Sequence, residues 1–258
     1  MKKYILDLKV VSVERLHERY VLMKLTADIP LPDMEPGQFV EVQVKDSPTT
    51  FLRRPISVNF LDKWRNELWL LVATIGDGTR SMARLKEGDT LNCVLPLGRG
   101  FTFPELKHEK LLLVGGGVGT APLLYFGQRL SDAGFDPVFL LGAKSAKDLL
   151  QLDRFSAIGR VYLTTEDGSA GEKGFVTQHS IFTRERFSHI YTCGPKPMMI
   201  SVARYAHAND IDCEASLENM MACGLGACLC CVEKTADGNL CVCKEGPVFN
   251  IKKLLWHL

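Results

Sequence analysis

The chain has 258 residues, of which 46% are hydrophobic and 24% charged, with a formal net charge of +1. That is room for two modest globular domains and an appendage, and a near-neutral chain without a lysine–arginine run excludes nucleic acid as the main partner. The start, M-K-K-Y-I-L-D-L-K-V, puts charges where a signal peptide needs an apolar core, and no apolar run approaches the ~20 residues of a membrane-spanning helix. Nine cysteines without a secretory signal then point to a reducing, cytoplasmic setting with no membrane partner.

Residues 1–103 read as short strands separated by turns. Val10 to Val13, Tyr20 to Leu25, Phe39 to Val44, Ile56 to Phe60 and Glu67 to Thr74 are rich in β-branched and aromatic residues. Within the third, Val40, Val42 and Val44 alternate with Glu41, Gln43 and Lys45, so one face is expected in the core and the other in solvent. Turn signals lie at 32–37, 62–66 and 87–89, and strands at this spacing predict a small antiparallel barrel.

Two motifs punctuate it. In Arg53-Arg54-Pro55-Ile56-Ser57, a guanidinium can fork onto a phosphate and a nearby hydroxyl can bond a flavin ring or phosphate oxygen. An exposed arginine pair on a solvated edge is the plain alternative. In Gly76-Asp77-Gly78-Thr79, a glycine turn before a helix-like stretch, Ser81 to Lys86, offers backbone N–H groups to an anion.

Residues 104–109 are expected as a linker. Lys110 to Val114 is then an apolar run suited to a buried parallel strand. It feeds Gly115-Gly116-Gly117-Val118-Gly119-Thr120-Ala121-Pro122, and a strand, a glycine-rich turn and a helix with early proline make a dinucleotide cradle. Thr120 stands where the third glycine of the usual pattern would be. The helix should end near Gly134. A strand at Pro137 to Leu141, a helix at Ala146 to Phe155, and strands at Val161 to Thr164 and Ile190 to Thr192 continue an alternating α/β pattern, which predicts a parallel sheet over 104–212. Cys193 ends the last of these strands, where a nicotinamide would lie. After a strand-like run from Ile211 to Leu217, Glu218 is placed to approach the same region; a carboxylate capping a surface turn is the duller reading.

Residues 213–258 contain the strongest pattern. Cys223, Cys228 and Cys231 stand as C-x₄-C-x₂-C, followed by Cys243, the spacing that holds a [2Fe–2S] cluster by four thiolates. Three cysteines must reach one small cluster from a tight loop, which Gly224 and Gly226 permit. Cys230 and Cys241 are surplus, and Cys241 replaces Cys243 on spacing alone. A structural zinc site is the main alternative, although the C-x-C of Cys241 and Cys243 is too short for a second knuckle.

The order R-R-P-I-S, G-D-G-T, G-G-G-V-G-T-A-P and C-G-P-K-P-M resembles the ferredoxin–NADP reductase superfamily. The tail L-E-N-M-M-A-C-G-L-G-A-C-L-C-C with C-K-E-G-P-V-F narrows the likeness to the electron-transfer subunits of class 1B dihydroorotate dehydrogenases, over essentially the whole chain. The resemblance implies a six-stranded antiparallel barrel carrying FAD, a Rossmann-like parallel sheet taking NAD, and a small [2Fe–2S] domain. It places Arg54, Pro55, Ile56 and Ser57 at the flavin and Gly78 and Thr79 at its pyrophosphate. Gly116, Gly117, Gly119 and Thr120 fall at the nicotinamide nucleotide. It also implies an FMN-containing catalytic subunit that oxidises dihydroorotate in pyrimidine synthesis, in a heterotetramer of two plus two chains. Relatives that bind a 2′-phosphate carry a serine–arginine pair after the third strand; Glu166 and Asp167 stand there instead, so NAD rather than NADP is expected. Competing readings are a ferredoxin:NAD(P) oxidoreductase or sulfide dehydrogenase-type flavin reductase, and a non-enzymatic redox-sensing or zinc module. Cys223 counts against the former, whose first ligand is often aspartate.

Overall fold

The computed structural model describes residues 2–106 and 109–258. Strands β1 (Tyr4–His17), β2 (Tyr20–Thr26), β3 (Phe39–Val42), β4 (Arg54–Asp62) and β5 (Glu67–Ala73) are followed by helix α1 (Asp77–Met82) and strand β6 (Thr90–Leu97). Among the described residues these six strands close an antiparallel barrel in the order β1-β2-β5-β4-β3-β6. Alternate residues supply the interior: Val21, Met23 and Leu25 from β2 meet Leu68, Leu70 and Val72 from β5 and Leu91, Cys93 and Leu95 from β6. At the β4–β5 hairpin, Asn66 takes positive φ, and its side chain ties Ala27, Ile29 and Leu31 to the turn. The helix expected from Ser81 begins earlier, at Asp77, and the third strand stops at Val42 rather than Val44.

The second half opens with β7 (Leu111–Gly116), α2 (Ala121–Asp132) and β8 (Pro137–Ala143). Then come α3 (Leu152–Ile158), β9 (Arg160–Thr165), β10 (Glu172–Lys173), α4 (Ile181–Arg184), β11 (His189–Cys193), α5 (Lys196–Ala208) and β12 (Asp212–Ser216). Of the linker expected over 104–109, positions 107 and 108 lie outside the described residues. The remaining elements are β13 (Val232–Thr235), β14 (Gly238–Cys241), α6 (Val242–Glu245) and β15 (Val248–Asn250). The large sheet runs β10-β9-β8-β7-β11-β12-β15, with β15 alone antiparallel among the described strands. The continuous apolar run Leu111 to Val114 is fully buried on both faces of the sheet, as a central parallel strand requires. Strand order reverses between β7 and β11, which opens a crevice at their carboxyl ends.

One expected element is broken. The helix read over Ala146 to Phe155 is a single 3-10 turn at Ala146–Asp148 and then α3, separated by Gln151 at φ 55°. Tertiary contacts override local propensity there. Leu150 is buried with Leu71 and Ala121, and the Gln151 amide exchanges two hydrogen bonds, of 3.0 and 3.1 Å, with the buried Asn59 of β4. That amide pair joins the barrel to the sheet.

The third segment is not a bead on a string. The division expected at 212/213 falls inside β12, which pairs in parallel with β11. Strand β15 returns to the edge of the same sheet beside β12. The Arg99 N–H donates to the Gly246 carbonyl at 2.6 Å and that of Leu217 to Pro247 at 2.9 Å. Leu254 and Trp256 are buried in one core with Cys231, Cys243 and the sheet residues Leu112 and Val114. The apolar carboxyl terminus therefore packs on its own chain.

Candidate cofactor and dinucleotide sites

The cysteine loop gathers its thiols in two pairs. The Cys223 thiol interacts with that of Cys228, and the Cys243 thiol with that of Cys231. Glycines at positive φ, Gly224 at 65° and Gly226 at 80°, turn backbone N–H groups toward sulfur. Leu225 donates to Cys223 Sγ at 3.3 Å, Gly226 to Cys243 Sγ at 3.1 Å, and Cys243 to Cys231 Sγ at 3.4 Å. Burial raises the Cys223 thiol, but N–H groups of Leu225, Cys228 and Ala227 and the Cys228 thiol outweigh it and bring it down to about 6. Cys243 moves the other way, to about 12, through burial and its bond with Cys231.

A donor set of two thiol pairs with amides aimed at sulfur fits a two-iron cluster, which takes two thiolates at each iron. Among the described residues no three His, Cys, Asp or Glu side chains converge as a single-ion site. Cys243 is buried and paired, whereas the half-buried Cys241 points its thiol at the Gly226 carbonyl, 3.9 Å away. The geometry thus favours Cys243 over Cys241. Cys230 is exposed and belongs to neither pair.

Beneath this loop lies a residue that the strand pattern assigned to solvent. Glu41 of β3 is fully buried, and neither carboxylate oxygen has a hydrogen-bond partner. A Cβ at Gly224 would stand 2.7 Å from Glu41 Cγ, so the cysteine loop is what covers it. Arg53 bonds the Glu41 carbonyl rather than its carboxylate. Desolvation raises the carboxyl to about 7, against the opposing pull of Arg53. From about pH 4.5 to about 7 the folded chain then binds more protons here than the unfolded chain. Stability should fall as pH rises across that window, by at most about 1.4 kcal/mol per pH unit. Denaturant midpoints from pH 5 to 8 are expected to flatten in Glu41→Gln; a variant with the wild-type slope would show that the carboxyl titrates normally.

The two arginines of the barrel motif separate cleanly. Arg53 is consumed by structure, bonding the carbonyls of Glu41 and Asn92 and the Asn92 side chain. Arg54 bonds only the carbonyls of Leu52 and Arg53 and forms no ion pair among the described residues, with the buried Glu41 its electrostatic neighbour. It shares β4 with Pro55, Ile56 and Ser57, and its Nε lies 3.2 Å from where a Gly78 Cβ would stand. The strand motif and the glycine turn are thereby brought together, with Thr79 Oγ1 closing the turn on the N–H and carbonyl of Gly76, both at 3.1 Å. A guanidinium outside any ion pair, beside a glycine turn, suits a phosphate-bearing ligand such as FAD.

At the switch point a cavity of about 600 Å³ is lined by Gly116, Gly117, Val118, Gly119, Gly142, Gly194 and Pro195. Added Cβ atoms at Gly119 and Gly116 would meet Gly194 Cα at 2.4 Å and Met198 Sδ at 2.5 Å. These glycines let the two strand ends touch. Gly117, at φ 55°, faces open space with only Tyr20 Oη nearby, at 3.8 Å. Thr120 is buried, and its hydroxyl donates to the Gly117 carbonyl at 3.0 Å; the missing third glycine is replaced by a side chain that locks the turn. The size and the glycine cradle fit a dinucleotide.

The remaining expected residues divide. Glu166 lines the cavity, but Asp167 does not; its carboxylate is held below the usual range by the hydroxyl and N–H of Ser169. Glu218 lines the cavity, exposed to it yet crowded by protein, and desolvation raises its pKa. Cys193 does not line it. Its thiol is buried in the core that holds Phe126 and Tyr191, pushed up by burial and by the Glu218 charge. The position at the strand end was legible, but the side chain points into the core. Arg19, Tyr20, Ala73 and Ile75 also line the cavity from the barrel, and no local sequence motif marks them.

Two family models match the chain: an oxidoreductase NAD-binding domain over residues 113–204 and the iron–sulfur cluster binding domain of dihydroorotate dehydrogenase B over 218–255. The chain is 38% identical over 247 residues to a protein of Listeria monocytogenes named the electron transfer subunit of NAD(+)-type dihydroorotate dehydrogenase B, covering 94% of this chain and 96% of that one. A Bacillus velezensis protein of the same name is 36% identical over 252 residues, covering 96% and 97%. A solved structure of NADH-dependent reduced ferredoxin-NADP oxidoreductase, described for flavin-based electron bifurcation, superposes with a TM-score of 0.87 at 27% identity, covering 97% of this chain and 90% of that one.

Proposed function

The chain belongs to the family of dihydroorotate dehydrogenase B electron transfer subunits, and from that premise we propose that it passes electrons from an FMN-bearing catalytic partner to NAD⁺. Oxidation of dihydroorotate by that partner makes the reaction a step of pyrimidine synthesis. The assembly is a heterotetramer of two plus two chains in the cytoplasm; no helix among the described residues is long and apolar enough to cross a membrane. Cys223, Cys228, Cys231 and Cys243 would hold the [2Fe–2S] cluster. Arg54, Pro55, Ile56 and Ser57, with Gly78 and Thr79, would hold FAD, and Gly116, Gly117, Gly119 and Thr120 would cradle NAD. When bound, the flavin exchanges hydride with the nicotinamide and single electrons with the cluster, which bridges two-electron and one-electron chemistry.

The rest of the task falls to this chain's own residues. Gly119 and Gly194 bring the turn and the β11 end together, so the dinucleotide meets backbone N–H groups. Glu166 accepts ribose hydroxyls at the end of β9, and its charge repels a 2′-phosphate, which favours NAD over NADP. Glu218 lines the same cavity with its pKa raised by desolvation, which places a carboxyl group beside the bound dinucleotide. The observation that carries this reading is the set of backbone N–H groups aimed at the sulfurs of Cys223, Cys231 and Cys243, in a loop whose Cys231 and Cys243 share one core with the dinucleotide sheet.

Co-expression with an FMN-containing dihydroorotate dehydrogenase chain tests it. The purified complex should show flavin and iron–sulfur absorption together and reduce NAD⁺ in the presence of dihydroorotate, with NADP⁺ far less effective. A flavin-free, iron-free protein, or a complex preferring NADP⁺, would remove the corresponding part of the proposal.

A further inference from the structure

The cavity has one wall that does not come from the dinucleotide-binding sheet. Arg19 and Tyr20, at the β1–β2 hairpin, and Ala73 and Ile75, at and just after the end of β5, line the cavity from the barrel. The hairpin is fixed there. Tyr20 packs with Leu16 and Val118 against Leu71, Ala121 and Leu150, and the Arg19 carbonyl accepts the Thr74 N–H at 2.7 Å. Tyr20 Oη is 3.8 Å from the Cβ position of Gly117, so the residue next to Arg19 reaches the turn itself.

The charges lining this cavity are unevenly placed. Asp148, Glu166 and Glu218 are acidic; Arg19 and Lys144 are basic. Lys144 follows β8 beside Glu166, whose N–H bonds the adjacent Ala143 carbonyl at 3.1 Å, so it stands at the ribose end of the sheet. Arg19 is the cation on the barrel side of the cavity, next in sequence to Tyr20, whose Oη approaches Gly117. Among the described residues its guanidinium makes no hydrogen bond or ion pair with protein. A dinucleotide's pyrophosphate is its anionic part. Glycine-turn N–H groups meet one side of it and leave the other in need of a cation, a task suited to a planar guanidinium.

On the reading that this cavity takes NAD, we propose that Arg19 clamps the pyrophosphate from the barrel, so that the dinucleotide is held between the two domains rather than by the sheet alone. Tyr20 positions that clamp through its packing on Val118. The hairpin then couples dinucleotide affinity to the barrel, and it is a binding contribution from the flavin domain that the glycine motif alone does not provide.

The test uses the full-length protein purified with its flavin and cluster. Binding of NADH, ADP-ribose and adenosine is measured for wild type, Arg19→Gln and Arg19→Lys. Loss of a charge-assisted contact predicts dissociation constants for NADH and ADP-ribose raised about tenfold in Arg19→Gln. Adenosine, which lacks the pyrophosphate, should bind both proteins equally, and Arg19→Lys should recover part of the loss. Added salt should weaken wild-type binding more than that of Arg19→Gln. Flavin and iron content should not change, because the side chain is exposed and unbonded. Wild-type affinity for ADP-ribose in Arg19→Gln overturns the clamp while leaving the dinucleotide cavity in place, as does an equal loss for adenosine. A wild-type protein that binds neither NADH nor ADP-ribose overturns the NAD reading and the clamp together.

Discussion

Cys243→Ser is expected to lose the iron–sulfur cluster, whereas Cys241→Ser keeps it. The two residues are only two positions apart, and spacing alone does not separate them. The structure distinguishes them by environment. Cys243 is buried, bonded to Cys231 and approached by the Gly226 N–H at 3.1 Å, while Cys241 turns to a carbonyl. Serine offers a hard oxygen in place of a soft thiolate, a poor match for an iron–sulfur centre. Iron and acid-labile sulfide content, with visible absorption, gives the direct readout. Electron transfer from the catalytic partner should fall by more than about 100-fold in Cys243→Ser, beyond what loss of an outer contact to a metal site costs. NADH oxidation by an artificial acceptor that draws on the flavin should persist, since Arg54 and the glycine turn are untouched. Full cluster content in Cys243→Ser would shift the fourth ligand to Cys241.

The second large effect is expected at Gly119. Its new methyl in Gly119→Ala would meet Gly194 Cα at 2.4 Å, Gly194 N at 2.5 Å and the Cys193 carbonyl at 2.6 Å. All three are backbone atoms, so no rotamer change relieves the clash and the strand ends must part. Forced overpacking of this kind costs about 1–3 kcal/mol, which for a chain of this size lowers the melting temperature by about 2–4 °C per kcal/mol. The larger consequence is for binding, because the parted strand ends are the floor of the cavity. NADH affinity should collapse while flavin and cluster content survive. Unaltered NADH binding in Gly119→Ala would mean that this contact does not shape the site.

Much of this architecture is written in local pattern. The run Leu111 to Val114, the glycines after it and the early proline announce a buried strand and a dinucleotide turn without any tertiary knowledge. The cysteine spacing does the same for the loop at 223–231. What local pattern lacks is knowledge of what covers what. Glu41 alternates with valines and so reads as a solvated residue, yet a loop more than 180 positions later in the sequence lies across it. The stretch from Ala146 to Phe155 has helical periodicity, yet Asn59 claims Gln151 and breaks it. Cys193 is correctly placed at a strand end, but which way a side chain leaves a strand depends on register, and the register with β7 and β12 turns it inward. Arg53 and Arg54 are identical in type, and only their acceptors, the Glu41 carbonyl of β3 and Asn92 of β6, show which one is spent. Arg19 carries no motif at all, because a wall contributed by another domain leaves no periodic trace.

The way the cysteine segment is tied down has a kinetic meaning. Strand β15 is stitched to the sheet edge, Gly246 and Pro247 are bonded to Arg99 and Leu217, and Trp256 is sunk into the shared core. A carrier mounted this way cannot swing like a tethered shuttle between donor and acceptor. Electrons must cross a gap whose width is set when the chain folds, so turnover should be insensitive to solvent viscosity within the subunit and governed by tunnelling distance and driving force.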